Sequence, residues 1–149
     1  MYHRLSPAHV TCTVNTTGDV FSVTNTSDID AYIRAAIVVN WVNRETGNVV
    51  GSVPAEYSYS LGIIESNEGW ISKSDGFYYY QPIVKPSGAK ATTAPLITEI
   101  TVTKDNPATY DLLVEVVAEA IQADGGKTQN ASTTPAYTDA WGITGLNTQ

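Results

Sequence analysis

Two runs of strict period-two alternation constrain this chain more than any other feature. In residues 31–42, Ala31, Ile33, Ala35, Ile37, Val39 and Trp41 fall on one side. Tyr32, Arg34, Ala36, Val38, Asn40 and Val42 fall on the other. The first side is wholly apolar and should look inward, while the second is mixed, as a half-covered sheet face is. Residues 110–122 repeat the pattern, with Tyr110, Leu112, Val114, Val116, Ala118 and Ala120 on one side. Glu115 and Glu119 lie four apart on the opposite side, a spacing a helix also uses, but Val114, Val116, Val117 and Ile121 favour a strand.

Shorter alternating runs are predicted as strands at residues 10–14, 19–24, 69–71, 76–81 and 96–102. Turn chemistry separates them at Gly18, residues 25–28, 45–48, 85–88 and 104–107. Residues 124–133 are polar and Gly-rich and read as a loop. One short helix is signalled: Thr134 caps it, Pro135 suits its first position and Gly142 ends it. Tyr137, Ala140 and Trp141 would share its apolar face, making a clasp over one edge of the core. The fold class expected is all-β: a jelly-roll-like antiparallel β-sandwich with one short C-terminal helix. At 149 residues the chain fits one such domain.

Composition narrows function by exclusion. The net charge is −7 and the eight basic residues are scattered, so nucleic acid and anionic lipid are poor partners. Only 15% of residues are charged, with Thr, Ser, Asn, Ala and Tyr in their place, which suits a secreted or assembling protein. No apolar run approaches the roughly 18 residues of a membrane span, so an integral membrane protein is not expected. Residues 1–10 lack the apolar segment of a signal peptide, so the sequence reads either as a cytosolic protein or as a mature exported chain. The single cysteine, Cys12, excludes an internal disulfide and reads as a small buried hydrophobe.

No catalytic site is expected. His3 and His9 stand near the start of the chain, a poor place for a triad histidine. Glu115 and Glu119, on one strand face, would stand about 13 Å apart, beyond glycosidase spacing. Asp28 and Asp30 form a D-x-D beside a turn, the nearest approach to a calcium pattern, but no complete loop motif exists. Neither metal nor cofactor is therefore expected, and Asp28 reads as an Asx-type turn residue. Asn15, Asn25 and Asn130 head glycosylation sequons. Trp70, Tyr57, Tyr59, Tyr78, Tyr79 and Tyr80 read first as packing and second as rings for stacking on sugars.

The run Asn25-Thr26-Ser27-Asp28-Ile29-Asp30-Ala31-Tyr32-Ile33-Arg34, followed by Trp41, resembles the TasA/camelysin family of exported, fibre-forming proteins. So do Gly76-Phe77-Tyr78-Tyr79-Tyr80, the Pro86/Gly88 turn, and Tyr110 through Ala118-Glu119-Ala120-Ile121-Gln122-Ala123. The likeness covers roughly residues 18–142, in order and spacing. It implies a jelly-roll domain, export, and head-to-tail assembly into extracellular filaments of a biofilm matrix or pilus, as in archaeal pilus subunits. The metalloprotease label of camelysin finds no zinc site here and is not carried over.

That assembly mode has a physical form: a sandwich missing one strand accepts an extended segment from a neighbour. The sequence offers residues 1–16 as donor and residues 17–149 as sandwich. Leu5, Val10, Cys12 and Val14 are the groove-facing knobs, and Pro7 interrupts the ladder once. Four buried apolar side chains contribute on the order of 4–10 kcal/mol, against roughly 4–15 kcal/mol for association. The strand alone is marginal, so a second subunit contact is expected. The expected partner is the protein itself, with other matrix proteins or polysaccharide as further partners. The competing expectation is a monomeric carbohydrate-binding or adhesin module.

Overall fold

The computed structural model describes residues 10–123, 136–143 and 146. Nine strands and one helix follow in chain order: β1 (Cys12–Thr17), β2 (Val20–Asn25), β3 (Ala31–Asn43), β4 (Val49–Val50), β5 (Ser58–Ile63), β6 (Trp70–Ser72), β7 (Tyr78–Val84), β8 (Ile97–Thr103), β9 (Tyr110–Gln122) and α1 (Ala136–Trp141). All the pairings are antiparallel. They form a four-stranded sheet in the order β1-β2-β8-β5 and a five-stranded sheet with β3 at its centre. The protein is an all-β sandwich, as its alternation predicts.

β3 and β9 pair over their full lengths, from Ala31 opposite Gln122 to Asn43 opposite Tyr110. On its other side β3 meets β7 through residues 31–35 and β4 through Trp41 and Val42. Both inward faces are continuous apolar rows, so a one-residue slip would turn every buried side chain outward.

The core is not evenly closed. Ala31, Ile33 and Ala35 are fully buried on the inner face of β3, whereas Ile37, Val39 and Trp41, further along the same face, are only half-buried. Phe21, Val23, Trp70, Val84, Leu96 and Ile97 complete the closed half. Cys12, Val14, Ile63, Ile100, Val114, Val116, Ala118 and Ala120 pack against it while staying partly exposed. Thus the end where Ala31 meets Gln122 is closed, and the end where Asn43 meets Tyr110 is open.

A second apolar cluster lies on the outer face of the β3 sheet at the closed end. Tyr32, Tyr79, Tyr137 and Leu146 are buried there, with Ile121 and Trp141 packed around them. This is why Tyr32, on the face expected to be mixed, is 4% exposed. α1 covers it, and Gly142 ends the helix at φ +70 while its N–H donates to the Thr138 carbonyl.

The donor boundary after residue 16 falls inside the first hairpin and is corrected. Gly18, at φ +59, permits a two-residue turn that folds Cys12–Thr17 back along Val20–Asn25. Cys12 and Val14 are therefore knobs in the chain's own sheet, not free to fill a neighbour. Leu5 lies outside the described residues, as do Thr134 and Pro135 of the expected helix start.

The uneven core gives a direct test. Ile33→Ala should lower the unfolding free energy by about 3–5 kcal/mol, the full cost of a buried isoleucine. Ile37→Ala should cost roughly half of that or less, because its site already meets solvent. Urea unfolding of the two variants reads the difference, and equal losses would mean that the open half is sealed in solution.

Candidate functional site

β9 is the longest free edge among the described residues. It pairs with β3 on one side, and no described strand pairs with it on the other. Antiparallel pairing uses alternate backbone groups, so its remaining N–H and C=O groups point away from β3. Across the sandwich, β8 meets β2 only at Ile97 opposite Phe21. Residues 98–103 pair with no described strand on that side. Between these two edges lies the half-covered inner face: Ile37, Val39, Trp41, Leu112, Val114 and Val116 from one sheet, Ile100 from the other.

Toward the closed end a groove of about 580 Å³ runs along β9. Val10, Thr11 and Cys12 form one wall and residues 118–121 the other, with Arg34, Ala140 and Trp141 at the rim. Burial pushes the Cys12 thiol above its ordinary pKa, and the nearby Glu119 carboxylate adds to the shift. The thiol is thus poorly nucleophilic at neutral pH. Cys12 behaves as the small hydrophobe its sequence context suggests.

The rim is held by Arg34. Its guanidinium lies 3.9 Å from the Phe77 ring centroid and 4.9 Å from that of Trp141. It donates to Glu119 at 2.6 Å and to the Tyr79 hydroxyl at 3.1 Å. Tyr79 in turn donates to Asp75 at 2.6 Å. That hydrogen bond is the main cause holding the Asp75 carboxyl below its ordinary value. One cation therefore ties β9, β3, β7 and the helix together. Glu119 is spoken for by Arg34, while Glu115 points to solvent on the outer face with no ion pair among the described residues.

At the open end four aromatic rings meet edge-on: Trp41 with Tyr57 (5.4 Å) and Tyr59 (6.2 Å), and Tyr57 with Tyr110 (5.4 Å). Outside them, Arg44 and Lys104 both reach Asp111 at 2.8 Å. These hydrogen bonds, from Arg44 first and Lys104 second, hold the Asp111 carboxyl well below the carboxylate range.

The remaining sequence candidates are placed as follows. Asn25 is 2% exposed. Its amide nitrogen donates to the carbonyls of Ile29 and Val84, and its oxygen accepts from Ser27. It has no room for a glycan on the folded chain, and it takes the Asx-turn role expected of Asp28. Asn15 is half-buried and donates to Ser22 and Thr24. Asn130 lies outside the described residues. Asp30 pairs with Lys85 at 3.1 Å. Among the described residues no three His, Cys, Asp or Glu side chains gather where an ion would sit. Trp70 and Tyr79 are buried at 1% and 0%, so neither is a platform for a sugar. No described helix is long and apolar enough to cross a membrane. Alternation locates every strand of the slot, but the free edge is a property of pairing that no local signal carries.

Comparison with protein-family models, with curated proteins and with solved structures finds no match for the chain.

The Asp111 network predicts a pH signature. A carboxyl with a depressed folded pKa stabilises the fold above the unfolded value, about 4, and loses that contribution as pH falls below it. Because Asp111 is 36% exposed, screening limits the gain to about 1 kcal/mol or less. Asp111→Asn should therefore be less stable than the parent by up to that amount at pH 7. The gap should shrink as pH drops below about 4, as thermal unfolding across a pH series would record. A constant gap would mean that charge is not its origin.

Proposed function

We propose that this protein is the structural subunit of an extracellular filament, a biofilm matrix fibre or pilus. Subunits join head-to-tail when an extended segment of one copy fills the slot between β8 and β9 of the next. The observation that supports this most is the uneven core: apolar rows on both long strands continue past the point where the chain stops covering them. An added strand would cover Ile37, Val114 and Val116 and pair the outward backbone groups of β9. The resemblance of residues 18–142 to the TasA/camelysin family points the same way. Since Thr11 is held by the Thr26 N–H, Cys12–Thr17 belong to the chain's own sheet, and Val10 walls the chain's own groove, the donor is confined to the residues before Val10, with Leu5 as its knob. A contact of this kind uses different surfaces on its two sides, so it propagates instead of closing.

In this reading the protein is secreted, acts without catalysis, and has itself as principal partner. The sugar-binding alternative loses three of its rings to the core, Tyr57, Trp70 and Tyr79.

Removal of residues 1–9 should leave a folded monomer that forms no filaments by negative-stain microscopy. A synthetic peptide of residues 1–9, added to the intact protein, should cap growing ends and shorten filaments at least tenfold when in excess. Normal filaments from the truncated chain would overturn the proposal, as would indifference to the peptide.

A further inference from the structure

The outer face of the β3 sheet is covered by α1 at the closed end and is bare at the open end. Pairing sets Ala36 opposite Val117, Val38 opposite Glu115 and Asn40 opposite Leu113. Val38, Leu113 and Val117 are 38%, 41% and 55% exposed. They form a contiguous apolar patch with one free carboxylate, Glu115, in its middle. Scattered surface hydrophobes need no explanation, but three set diagonally around one carboxylate on neighbouring strands form a surface suited to a contact.

The chain also carries a surface complementary to this one. A groove of about 390 Å³ is lined by Tyr80, Pro82, Ile83, Lys85, Lys90 and Thr92. The Lys85 N–H donates to the Lys90 carbonyl, which sets the two lysines side by side. Lys85 is tied to Asp30, while Lys90 is exposed and makes no ion pair among the described residues. In a chain of net charge −7 with only eight basic residues, two adjacent lysines around an apolar floor form an unusual feature.

The two surfaces are offset along the strands of the β3 sheet. The lysine groove follows Val84, which pairs with Ala31 at the closed end. The patch centres on Val38, seven residues along β3, or about 24 Å away. A second copy can meet the patch head-to-tail through its groove, without a two-fold that would set Glu115 against Glu115. We propose that the Val38–Leu113–Val117 face of one subunit packs into the Lys85–Lys90 groove of the next, with Glu115 meeting Lys90. This contact rests on the filament reading and supplies the second interface that a marginal added strand requires.

The test is a charge exchange read by sedimentation equilibrium of the intact protein, with microscopy alongside. Glu115→Lys and Lys90→Glu should each weaken self-association about tenfold, since an exposed pair turns from attraction to repulsion. The double exchange, Glu115→Lys with Lys90→Glu, should restore it to within about threefold. Raising salt from 0.05 to about 0.5 M should weaken the parent and erase the differences. Val117→Asp gives an independent check at the apolar patch and should weaken association without unfolding the domain. If the parent associates but both single reversals leave it unchanged, or the double exchange fails to restore it, the contact is wrong and the slot reading stands. If the reversal pattern holds while loss of residues 1–9 changes nothing, the slot reading falls and the contact stands. A parent that stays monomeric at all concentrations overturns the contact.

Discussion

The register between β3 and β9 is the constraint on which everything else depends. The two strands are paired from end to end, so a single choice of register decides which of their twenty-six side chains face the core. Because the inner rows are apolar from Ala31 to Trp41 and from Tyr110 to Ala120 while the outer rows carry Arg34, Glu115 and Glu119, a one-residue slip is penalised along the whole ladder. The pair then serves as a rigid spine for unlike surroundings. At one end β1, β2 and the start of β8 cover its inner face and α1 covers its outer face. At the other end the inner face is covered only in part, by Tyr57 and Tyr59 against Trp41, and the outer face is bare. The slot, the bare patch and the aromatic mouth are all consequences of one spine being longer than its cover.

Arg34 shows how the closed end is made firm. A lone cation on a sheet face would contribute little, since exposed ion pairs are screened. Here the side chain is only 17% exposed and lies against Phe77 and Trp141, with Glu119 and Tyr79 fixing its nitrogens. Burial opposes its charge, yet these partners raise its pKa overall. The same residue that docks the helix also fixes Glu119 at the groove rim. Removing it would therefore disturb the groove wall and the helix together, not one of them.

Much of the fold was legible in the sequence, and the limits are instructive. The strand over residues 110–122 matches β9 at both bounds, and residues 31–42 match β3 to within one residue, because long alternation has few competing explanations. β5 was missed: Tyr59, Leu61 and Ile63 alternate with Ser58, Ser60 and Gly62, small residues of weak strand propensity. The donor boundary failed for a related reason. Alternation in residues 10–14 identifies a strand but is silent about which strand it will pair with, and the Gly18 turn decided that locally. The half-open core could not be read at all. Ile33 and Ile37 occupy equivalent positions in one unbroken pattern, and only tertiary cover distinguishes them. Asn25 was misread because a sequon is a composition of three residues, whereas the role of this side chain is set by the Ile29 and Val84 carbonyls it serves.

The separation of a sealed half from an unsealed half also resolves a tension in the filament proposal. A subunit that depended on its neighbour for its whole core would be unfolded before assembly and prone to indiscriminate strand pairing. Here Ile33, Trp70, Leu96 and Ile97 are buried before any partner arrives, so the spine and its register are already set. What remains open is a free edge whose outer face carries Glu115 and Glu119, and charge beside an unpaired edge discourages random addition. The uncovered apolar row is then available to a segment of matching alternation, and the marginal affinity of one strand becomes useful. It lets a wrongly seated segment leave before a second contact holds it.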